Sequence, residues 1–384
     1  MDKMNAVQLQ LINIIANMLF GVPLQEEEHD WGKLRQEALD QTVFPLVYSA
    51  IKKQLPEDEK VIWQRLNDKI IAQNMTIFYE HGELHSAMEE IECPYVTLKG
   101  CGSAYYYPDP VKRMMGDVDF LVDPIDLQKA SEKVVQCGFR QIYKTDQKFH
   151  EEFKRDNTEW ELHYKITEYP EGEKGVIIER YVSDIIETDR CVEMSGFEFN
   201  IPDDFHHCVV MLLHVARHLI SGRGIGLRHL CDWAVFVENV DISAFGDQLR
   251  EMGLWVFACS LSAVSHKYLG SREYQWLMNV DDDVLHSLIM EFVSHGNFGQ
   301  KESNNTTQNL IINFSNPFKA WVSRTKRRFP FTKKYVFLMP IGMIMCAARF
   351  LYLRISGKSR WVTIEDVKTA EERRDVYTKL ALYK

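Results

Sequence analysis

The spacing of apolar residues predicts helices at both ends of the chain and a mixed region between them. Residues 26–51 and 61–91 repeat apolar side chains every three or four positions, which predicts amphipathic helices, with Pro45 interrupting the first stretch. The same spacing returns at Pro202, where a proline followed by two acidic residues is typical of a helix N-terminus. We therefore expect helices up to residue 91 and again from Pro202 to about residue 300.

Between residues 92 and 200 the pattern changes to short apolar runs separated by turns. The run YVTLKG, residues 95–100, predicts a strand that ends at a glycine, and GDVDFLV, residues 116–122, predicts the next strand. Later runs at 139–155 and 159–166 flank the turn residues DNT and predict strands that end in a hairpin. This region is therefore predicted to be a mixed α/β unit.

One helix inside the mixed region is predicted from its end signals. Asp123 stands where an N-cap is expected, Pro124 at the first helical position and Gly138 where the helix should terminate. The helix would connect the strand at 116–122 to the strands that follow it.

The composition of the 384 residues is ordinary for a folded soluble protein, with 46% apolar and 26% charged residues. The eight cysteines are scattered and form no CxxC pair, which favours a reducing compartment and gives no signal for a zinc site. The first 21 residues carry an acid at position 2 and polar residues within the apolar run, which indicates an amphipathic helix rather than a secretion signal. We therefore expect a cytoplasmic protein.

The net charge of −10 conceals a strong asymmetry along the chain. Residues 303–364 contain eleven Lys and Arg residues and no Asp or Glu, so the rest of the chain carries about −21. Such segregation points to a polyanion, an anionic membrane surface or an acidic partner. The uncharged run 335–348 is too short to span a membrane, which leaves a core helix with solvated ends, slightly favoured, or peripheral attachment to the inner face of the membrane.

Two carboxylates lie two residues apart on the strand at 116–122. Side chains alternate across a strand, so Asp117 and Asp119 point the same way, about 7 Å apart along the chain. Like charges repel, which favours a cation between them, whereas the alternative is the solvated polar face of an edge strand.

A second strand carries a further acid on its polar face. In WELHYKI the apolar residues alternate with Glu161 and His163, which therefore share one face. If this strand neighbours the strand at 116–122, three carboxylates converge, and such a cluster suits one or two Mg²⁺ ions. His163 would then orient Glu161 or contact a substrate, the alternative being a structural hydrogen bond.

The loop LKGCGS precedes the acidic strand and offers backbone N–H groups beside small side chains. Lys99, Gly100, Gly102 and Ser103 are therefore candidate phosphate ligands. Arg113 could neutralise triphosphate charge with its bidentate guanidinium group. For both basic residues the alternative is a surface charge or an ion pair with a nearby acid.

Histidines recur on the helix predicted after Pro202. His207, His214 and His218 fall on one helix face, with Arg217 beside them. Through His214, Arg217 and His218, this face is a candidate site for a nucleotide or for a molecule that accepts a group from it. Histidines on helices are more often structural. Further along, Arg228 and Asp232 have the i, i+4 spacing of a helix-stabilising pair.

The ordered set of motifs resembles a known family. LKG, an Arg before GDVD, the motif ELH and the later His-rich helix are similar to bacterial nucleotidyltransferase-like proteins of the DNA polymerase β superfamily, over roughly residues 20–270. The resemblance implies that Asp117 and Asp119 form the metal-binding pair and that Glu161 is the third carboxylate. In the loop, alignment on Gly100 makes Cys101 the small partner residue, and alignment on Gly102 makes Ser103 that residue.

The resemblance also implies a domain organisation and an activity. The fold class would be α/β (α+β), with a polymerase-β-like core and a mixed sheet between helical regions. The expected parts are an N-terminal helical region (1–91), the catalytic domain (92–200), a helical domain that closes the cleft (201–302) and a basic helical region (303–384). The implied reaction transfers a nucleoside monophosphate from an NTP, ATP by default, to a hydroxyl of an unidentified acceptor (a small molecule, a protein or an RNA end), with Mg²⁺ or Mn²⁺. The alternative is a non-catalytic binding or scaffold protein attached through its basic region.

Overall fold

The structure is a computed structural model. It describes residues 4–25, 28–143, 149–170, 172–221, 225–296, 321–322, 325–326, 328–329, 331–355 and 378–384. Much of the predicted basic region, at 303–320 and 356–377, therefore lies outside the described residues.

Helices form the N-terminal part of the chain, as the apolar spacing predicts. They are α1 (Ala6–Phe20), α2 (Trp31–Asp40), α3 (Phe44–Ile51) and α4 (Glu57–Glu90). α4 has 34 residues, and the three acidic residues of its first turn stabilise the positive end of its dipole. Pro45 does not interrupt a helix, because it lies in the first turn of α3, where a missing N–H is tolerated. The predicted interruption lies instead at residues 41–43.

Five strands form one mixed sheet. They are β1 (Tyr95–Thr97), β2 (Val118–Val122), β3 (Arg140–Ile142), β4 (His150–Arg155) and β5 (Thr158–His163), in the order β1-β2-β5-β4-β3. β2 runs parallel to β5, and the other neighbours are antiparallel. The prediction of a mixed sheet is confirmed. Because β2 has a strand on each side and all its residues are buried, the alternative of a solvated edge strand is wrong.

The helix predicted at 123–138 starts later than its end signals indicate. α6 spans Leu127–Gln136, and Gly138 follows it with φ +89°. The side chain of Asp123 accepts a hydrogen bond from the N–H of Ile125 (2.9 Å), in the turn before the helix. The prediction of Asp123 as N-cap is therefore wrong, because its carboxylate closes a local turn. The predicted hairpin is confirmed as β4 and β5.

Three elements of the mixed region were not predicted. α7 spans Glu173–Tyr181, and β6 (Arg190–Met194) and β7 (Phe197–Ile201) form a separate antiparallel sheet. β7 packs against α4 and β1. The alternation of Phe197, Phe199 and Ile201 was the available signal for this strand.

A buried acid connects α4 to the hairpin of the sheet. Glu80 is 5% exposed and accepts hydrogen bonds from Trp160 Nε1 (2.9 Å), Thr158 Oγ1 (3.2 Å) and the Arg155 guanidinium (3.0 Å). A buried carboxylate with four acceptor positions is tolerated when they are filled in this way. The long helix is therefore fixed in place against β4 and β5.

The C-terminal half of the described chain is helical. Its helices are α8 (Asp204–Ser221), α9 (Leu227–Asn239), α10 (Gly246–Glu251), α11 (Trp255–Val264), α12 (Asp282–His295), α13 (Phe331–Lys334) and α14 (Met339–Ile355). One buried cluster joins α1, α3, β1, α8, α9, α11 and α12. The predicted division into four parts stays a prediction, since the packing of these helices is shared with the N-terminal region.

The last described residues return to this helical half. Leu380 is fully buried in the shared core, and the N–H of Tyr383 donates to the carbonyl of Gly253 (2.9 Å). α14 by contrast exposes large apolar side chains, among them Ile341 (52%) and Ile344 (68%), so the expectation of a core helix is wrong. Within the described residues, no helix combines the length and the apolar character that crossing a bilayer requires.

Candidate active site

The parallel pairing of β2 with β5 brings the predicted acids together. Asp119 lies opposite Glu161 in the register, and Asp117 immediately precedes β2. Oxygen atoms of Asp117, Asp119 and Glu161 all lie within 4.8 Å of one another. Carboxylate oxygens at this spacing are the ligands that Mg²⁺ prefers, so the three acids fit a divalent cation.

Two basic side chains hold the negative charge of Asp119. Asp119 is 3% exposed, and its Oδ1 contacts Lys99 Nζ (2.6 Å) and His163 Nε2 (3.0 Å). Burial opposes ionisation, but the charge of Lys99 and the hydrogen bond from His163 keep the pKa of Asp119 well below its usual range. Asp119 is therefore ionised and ready to bind a cation at neutral pH.

Asp117 has the opposite electrostatic environment. Burial, followed by the charge of Asp119, raises the pKa of Asp117 to about 7. Asp117 and Asp119 therefore titrate as a coupled pair, and a bound divalent cation would favour the ionised form of both.

His163 lies behind the carboxylates. It is 1% exposed, its Nε2 contacts Asp119 and Glu161 Oε2 (3.3 Å), and its Nδ1 lies 3.3 Å from the carbonyl of Lys165. Burial lowers its pKa, but the hydrogen bonds with Asp119 and Glu161 raise it overall. This position suits orienting the two carboxylates better than contacting a substrate.

The glycine loop forms one wall of the cleft above the acids. Gly100 has φ +53°, which favours glycine, and a Cβ there would lie 3.6 Å from the Asp117 carbonyl oxygen. The following turn, α5 (Cys101–Ala104), is buried, and Gly100 and Ser103 line the cleft. Gly102 faces His207 and the carbonyl of Thr97 instead. Ser103, the partner residue of one alignment, and Gly100, the glycine of the other, both line the cleft, so the choice between the two alignments stays a prediction.

Arg113 is an anchor inside the protein. Its Nε and one Nη donate to the two carboxylate oxygens of Asp232 (2.8 and 2.7 Å), and Tyr107 Oη donates to the same group (2.8 Å). Both charged side chains are at most 7% exposed. Arg113 also lines the cleft, but its bidentate face is used for a carboxylate, so its binding of triphosphate stays a prediction.

The lead-in to β2 is held by side chains that sequence analysis did not single out. Asn74 on α4 donates to the carbonyls of Val111 (2.6 Å) and Arg113 (2.9 Å) and accepts from the N–H of Met115 (3.1 Å). Because Asn74 is 1% exposed, these bonds are shielded from water. They fix the segment that places Asp117.

Arg228 is a functional candidate that was assigned a structural role. Sequence analysis paired Arg228 with Asp232, but the main contact of Asp232 is Arg113. One Nη of Arg228 donates to the carbonyl of Met114 (2.9 Å), and Arg228 lines the cleft together with Asp117. Burial, followed by the charge of Arg113, lowers the pKa of Arg228 to about 10. In the sequence, the motif GRGIGLRH was the only sign of a cation at the position of Arg228.

The predicted histidine face is divided by the structure. His214 and His218 lie together with His229 of α9, whereas His207 packs on Tyr106 and lies 3.4 Å from Ser103 Oγ. The Arg217 guanidinium stacks over the ring of Phe149, 4.3 Å from its centre. The structure thus joins His214 to the cleft wall and directs Arg217 to an aromatic side chain.

The fold and the acid cluster can now be compared with known proteins. The sequence profile of the uncharacterised nucleotidyltransferase family matches residues 27–270, well over half of the chain. The chain belongs to this family. A search of curated proteins gave no match. The matched range contains the whole five-stranded sheet and every residue of the acid cluster.

Proposed function

We propose that the protein is a Mg²⁺-dependent nucleotidyltransferase that moves a nucleoside monophosphate from an NTP to a hydroxyl of an acceptor and releases pyrophosphate. The observation that carries this proposal is the convergence of Asp117, Asp119 and Glu161 within 4.8 Å on paired strands. Membership in a nucleotidyltransferase family supports the class of reaction. The donor is taken as ATP by default, and Mn²⁺ is an alternative metal.

Each acid has a distinct role in this proposal. Asp117 and Asp119 would hold the metal ions, and Glu161 would complete the ligands of the ion next to the acceptor. Bound Mg²⁺ would supply charge for the phosphates and lower the pKa of the attacking hydroxyl. The acceptor oxygen would form a bond to the α-phosphorus as the bond to pyrophosphate breaks, with the electron pair leaving on pyrophosphate and the hydroxyl proton passing to solvent. His163 positions Asp119 and Glu161 through its two contacts.

The basic residues of the cleft would neutralise the triphosphate. Lys99 and Arg228 line the cleft with Gly100 and Ser103, so cations and small side chains face the same space as the acids. Once a metal ion binds Asp119, the ammonium group of Lys99 becomes available for a phosphate oxygen. Arg228 takes the role that sequence analysis gave to Arg113.

Titration calorimetry tests this proposal directly. Non-hydrolysable analogues of ATP, GTP and the two pyrimidine NTPs are titrated with Mg²⁺ into the native protein and into Asp117→Ala/Asp119→Ala. The expected result is binding that requires Mg²⁺ and is lost in the double variant, followed by a search for the acceptor with labelled NTP. A native protein that binds none of the four NTPs would contradict the proposal. Gln141→Ala, on the outer strand β3, is the matched control.

A second proposal concerns attachment to an anionic membrane surface. It rests on the exposed apolar side chains of α14, such as Ile344 (68%) and Ile355 (81%), within residues 303–364, which contain no acid. The enzyme would then act in the cytoplasm at the inner face of the membrane. Residues 303–320 and 356–364 of this stretch lie outside the described residues.

Liposome sedimentation tests the attachment. The native protein should sediment with vesicles that contain anionic lipid and not with neutral ones, and Ile344→Ser/Ile355→Ser should stay in solution. Truncation of the chain at residue 303 is a poor test, because Leu380 belongs to the core. If the native protein does not sediment with anionic vesicles, the proposal that the exposed face of α14 binds a membrane is wrong.

A further inference from the structure

Three histidines from two helices meet on the wall of the cleft. His214 and His218 lie one turn apart on α8, and His229 lies in the first turn of α9. Their ring centres are separated by 4.6, 5.2 and 5.6 Å, and one nitrogen of each lies within 4.8 Å of the others. Only the spacing of His214 and His218 was visible in the sequence, because His229 reaches them through the fold.

The closest pair of nitrogens has the separation expected for two ligands of one ion. His214 Nε2 lies 3.3 Å from His229 Nε2. Zinc–nitrogen bonds of about 2.0–2.1 Å at a tetrahedral angle place two ligand atoms about 3.3–3.4 Å apart. The nitrogen of His218 would have to approach by at most about 1.5 Å.

The hydrogen bonds around His229 leave the right nitrogen for a metal. His229 Nδ1 lies 3.3 Å from the carbonyl of Gly226, so Nδ1 carries the proton that this contact needs. The lone pair therefore lies on Nε2, which faces His214. A carbonyl on the far nitrogen is the usual way in which proteins orient a metal-binding imidazole. With this tautomer of His229, His214 Nε2 would carry the hydrogen of the 3.3 Å contact, and metal binding would require that proton to leave Nε2.

The surroundings keep the two rings neutral. Burial, together with the charges of neighbouring basic residues, lowers the pKa of both His214 and His229 well below the usual range. A neutral imidazole is the form that binds transition metals, and its nitrogen favours Zn²⁺ over Mg²⁺. The acid cluster has oxygen ligands only, so the two groups of ligands select different ions.

We propose that His214, His218 and His229 form a site for a transition-metal ion of the Zn²⁺ class, separate from the Mg²⁺ site at the acids. Three protein ligands leave one position of a tetrahedral ion free, as in catalytic rather than structural zinc sites. His214 and His229 line the same cleft as Asp117 and Asp119, so the free position faces that cleft. It would take an oxygen of a phosphate group bound there.

Cobalt titration of the full chain tests the site without measuring nucleotidyl transfer. Tetrahedral Co²⁺ has strong visible absorption, and Co²⁺ replaces Zn²⁺ in sites of this kind. The expected result is one equivalent of Co²⁺ with these bands in the native protein and equally in Asp117→Asn/Asp119→Asn. His218→Gln and His229→Gln should each weaken binding at least tenfold. His85→Gln, on α4 and outside the cluster, is the matched control and should bind as the native protein does.

The outcomes separate this proposal from the proposed function. Absence of tetrahedral Co²⁺ bands in the native protein, or unchanged binding in His229→Gln, would overturn it, whatever the protein does with NTPs. Loss of the bands in the acid variant would also overturn it, by assigning the ion to the carboxylates. Inorganic phosphate should shift the bands, and no shift would refute the free position. Should the histidine variants fail to fold, X-ray absorption of the Zn²⁺-loaded native protein decides between imidazole ligands and oxygen ligands alone.

Discussion

Removing one partner of the buried Arg113–Asp232 pair should destabilise the protein strongly. In Asp232→Leu the guanidinium group of Arg113, 5% exposed, keeps its charge and loses two charge-assisted hydrogen bonds of 2.7–2.8 Å. Tyr107 Oη loses its acceptor as well. Breaking one side of a buried ion pair costs about 3–5 kcal/mol, a large part of a typical total stability of about 5–15 kcal/mol.

The double variant separates the cost of the unpaired charge from the worth of the pair. Arg113→Met/Asp232→Leu replaces both charges of the pair with apolar atoms, so its free energy of unfolding should fall by only about 1 kcal/mol. Urea unfolding of the native protein, both single variants and the double variant gives the coupling energy of the pair. A coupling energy below about 1 kcal/mol, or a single variant as stable as the native protein, would refute the argument from burial.

The same variants decide whether Arg113 contacts the nucleotide. If Arg113 is an anchor, the folded double variant should bind the ATP analogue with Mg²⁺ within about threefold of the native affinity. Arg228→Met, measured beside it, should weaken binding at least tenfold. The reverse pattern, with nucleotide binding lost in the stable double variant and retained in Arg228→Met, would restore the role predicted from the sequence.

Three further predictions concern the charges around the site and the core. Lys99→Met should tighten binding of Mn²⁺ alone at pH 8 at least tenfold, because it removes a cation 2.6 Å from the Asp119 oxygen, and it should weaken nucleotide binding. Electron paramagnetic resonance of free Mn²⁺ measures the affinity for the metal, and an unchanged affinity would contradict the prediction. Burial opposes the charge of His206, but the hydrogen bond and charge of Asp203, 2.9 Å away, raise its pKa. The stabilisation of the folded protein by this contact, about 1 kcal/mol, is therefore present below the unfolded pKa and is lost as the pH rises through the folded pKa. Urea unfolding at pH 6 and pH 8.5 should show this loss in the native protein and not in His206→Gln, and equal slopes with pH in the two would oppose it. Glu80→Gln should lower the free energy of unfolding by about 1–3 kcal/mol, because its carboxylate accepts bonds from three side chains, whereas Glu83→Gln, a partly exposed neighbour, should change it by less than about 1 kcal/mol.

The acid cluster could be predicted from the sequence because it depends on local geometry. Because side chains alternate along a strand, the sequence predicted that Asp119 and Glu161 each lie on the polar face of their own strand. Only the adjacency of the two strands had to be assumed. The structure supplies that adjacency through the parallel register of β2 and β5. The mixed sheet and the hairpin followed from the same rules.

The errors at the site concern contacts between residues far apart in the chain. The spacing of Arg228 and Asp232 suggested a local pair, but Asp232 binds Arg113, 119 positions away. Likewise, no pattern along the chain indicates that His229 joins the histidines of α8 or that Asn74 fixes the lead-in to β2. Side chains of this kind acquire their partners only when helices pack, and a single sequence carries no record of that packing.

Residues 378–384 pack in the core of the helical half, with Leu380 fully buried there. Because α12 also belongs to this core, α14 lies in the chain between two segments that are fixed in it. A membrane contact made by α14 would therefore hold the cleft within a fixed reach of the bilayer. An acceptor confined to that surface would meet the cleft at a high effective concentration, so that even weak intrinsic affinity for it would suffice for turnover.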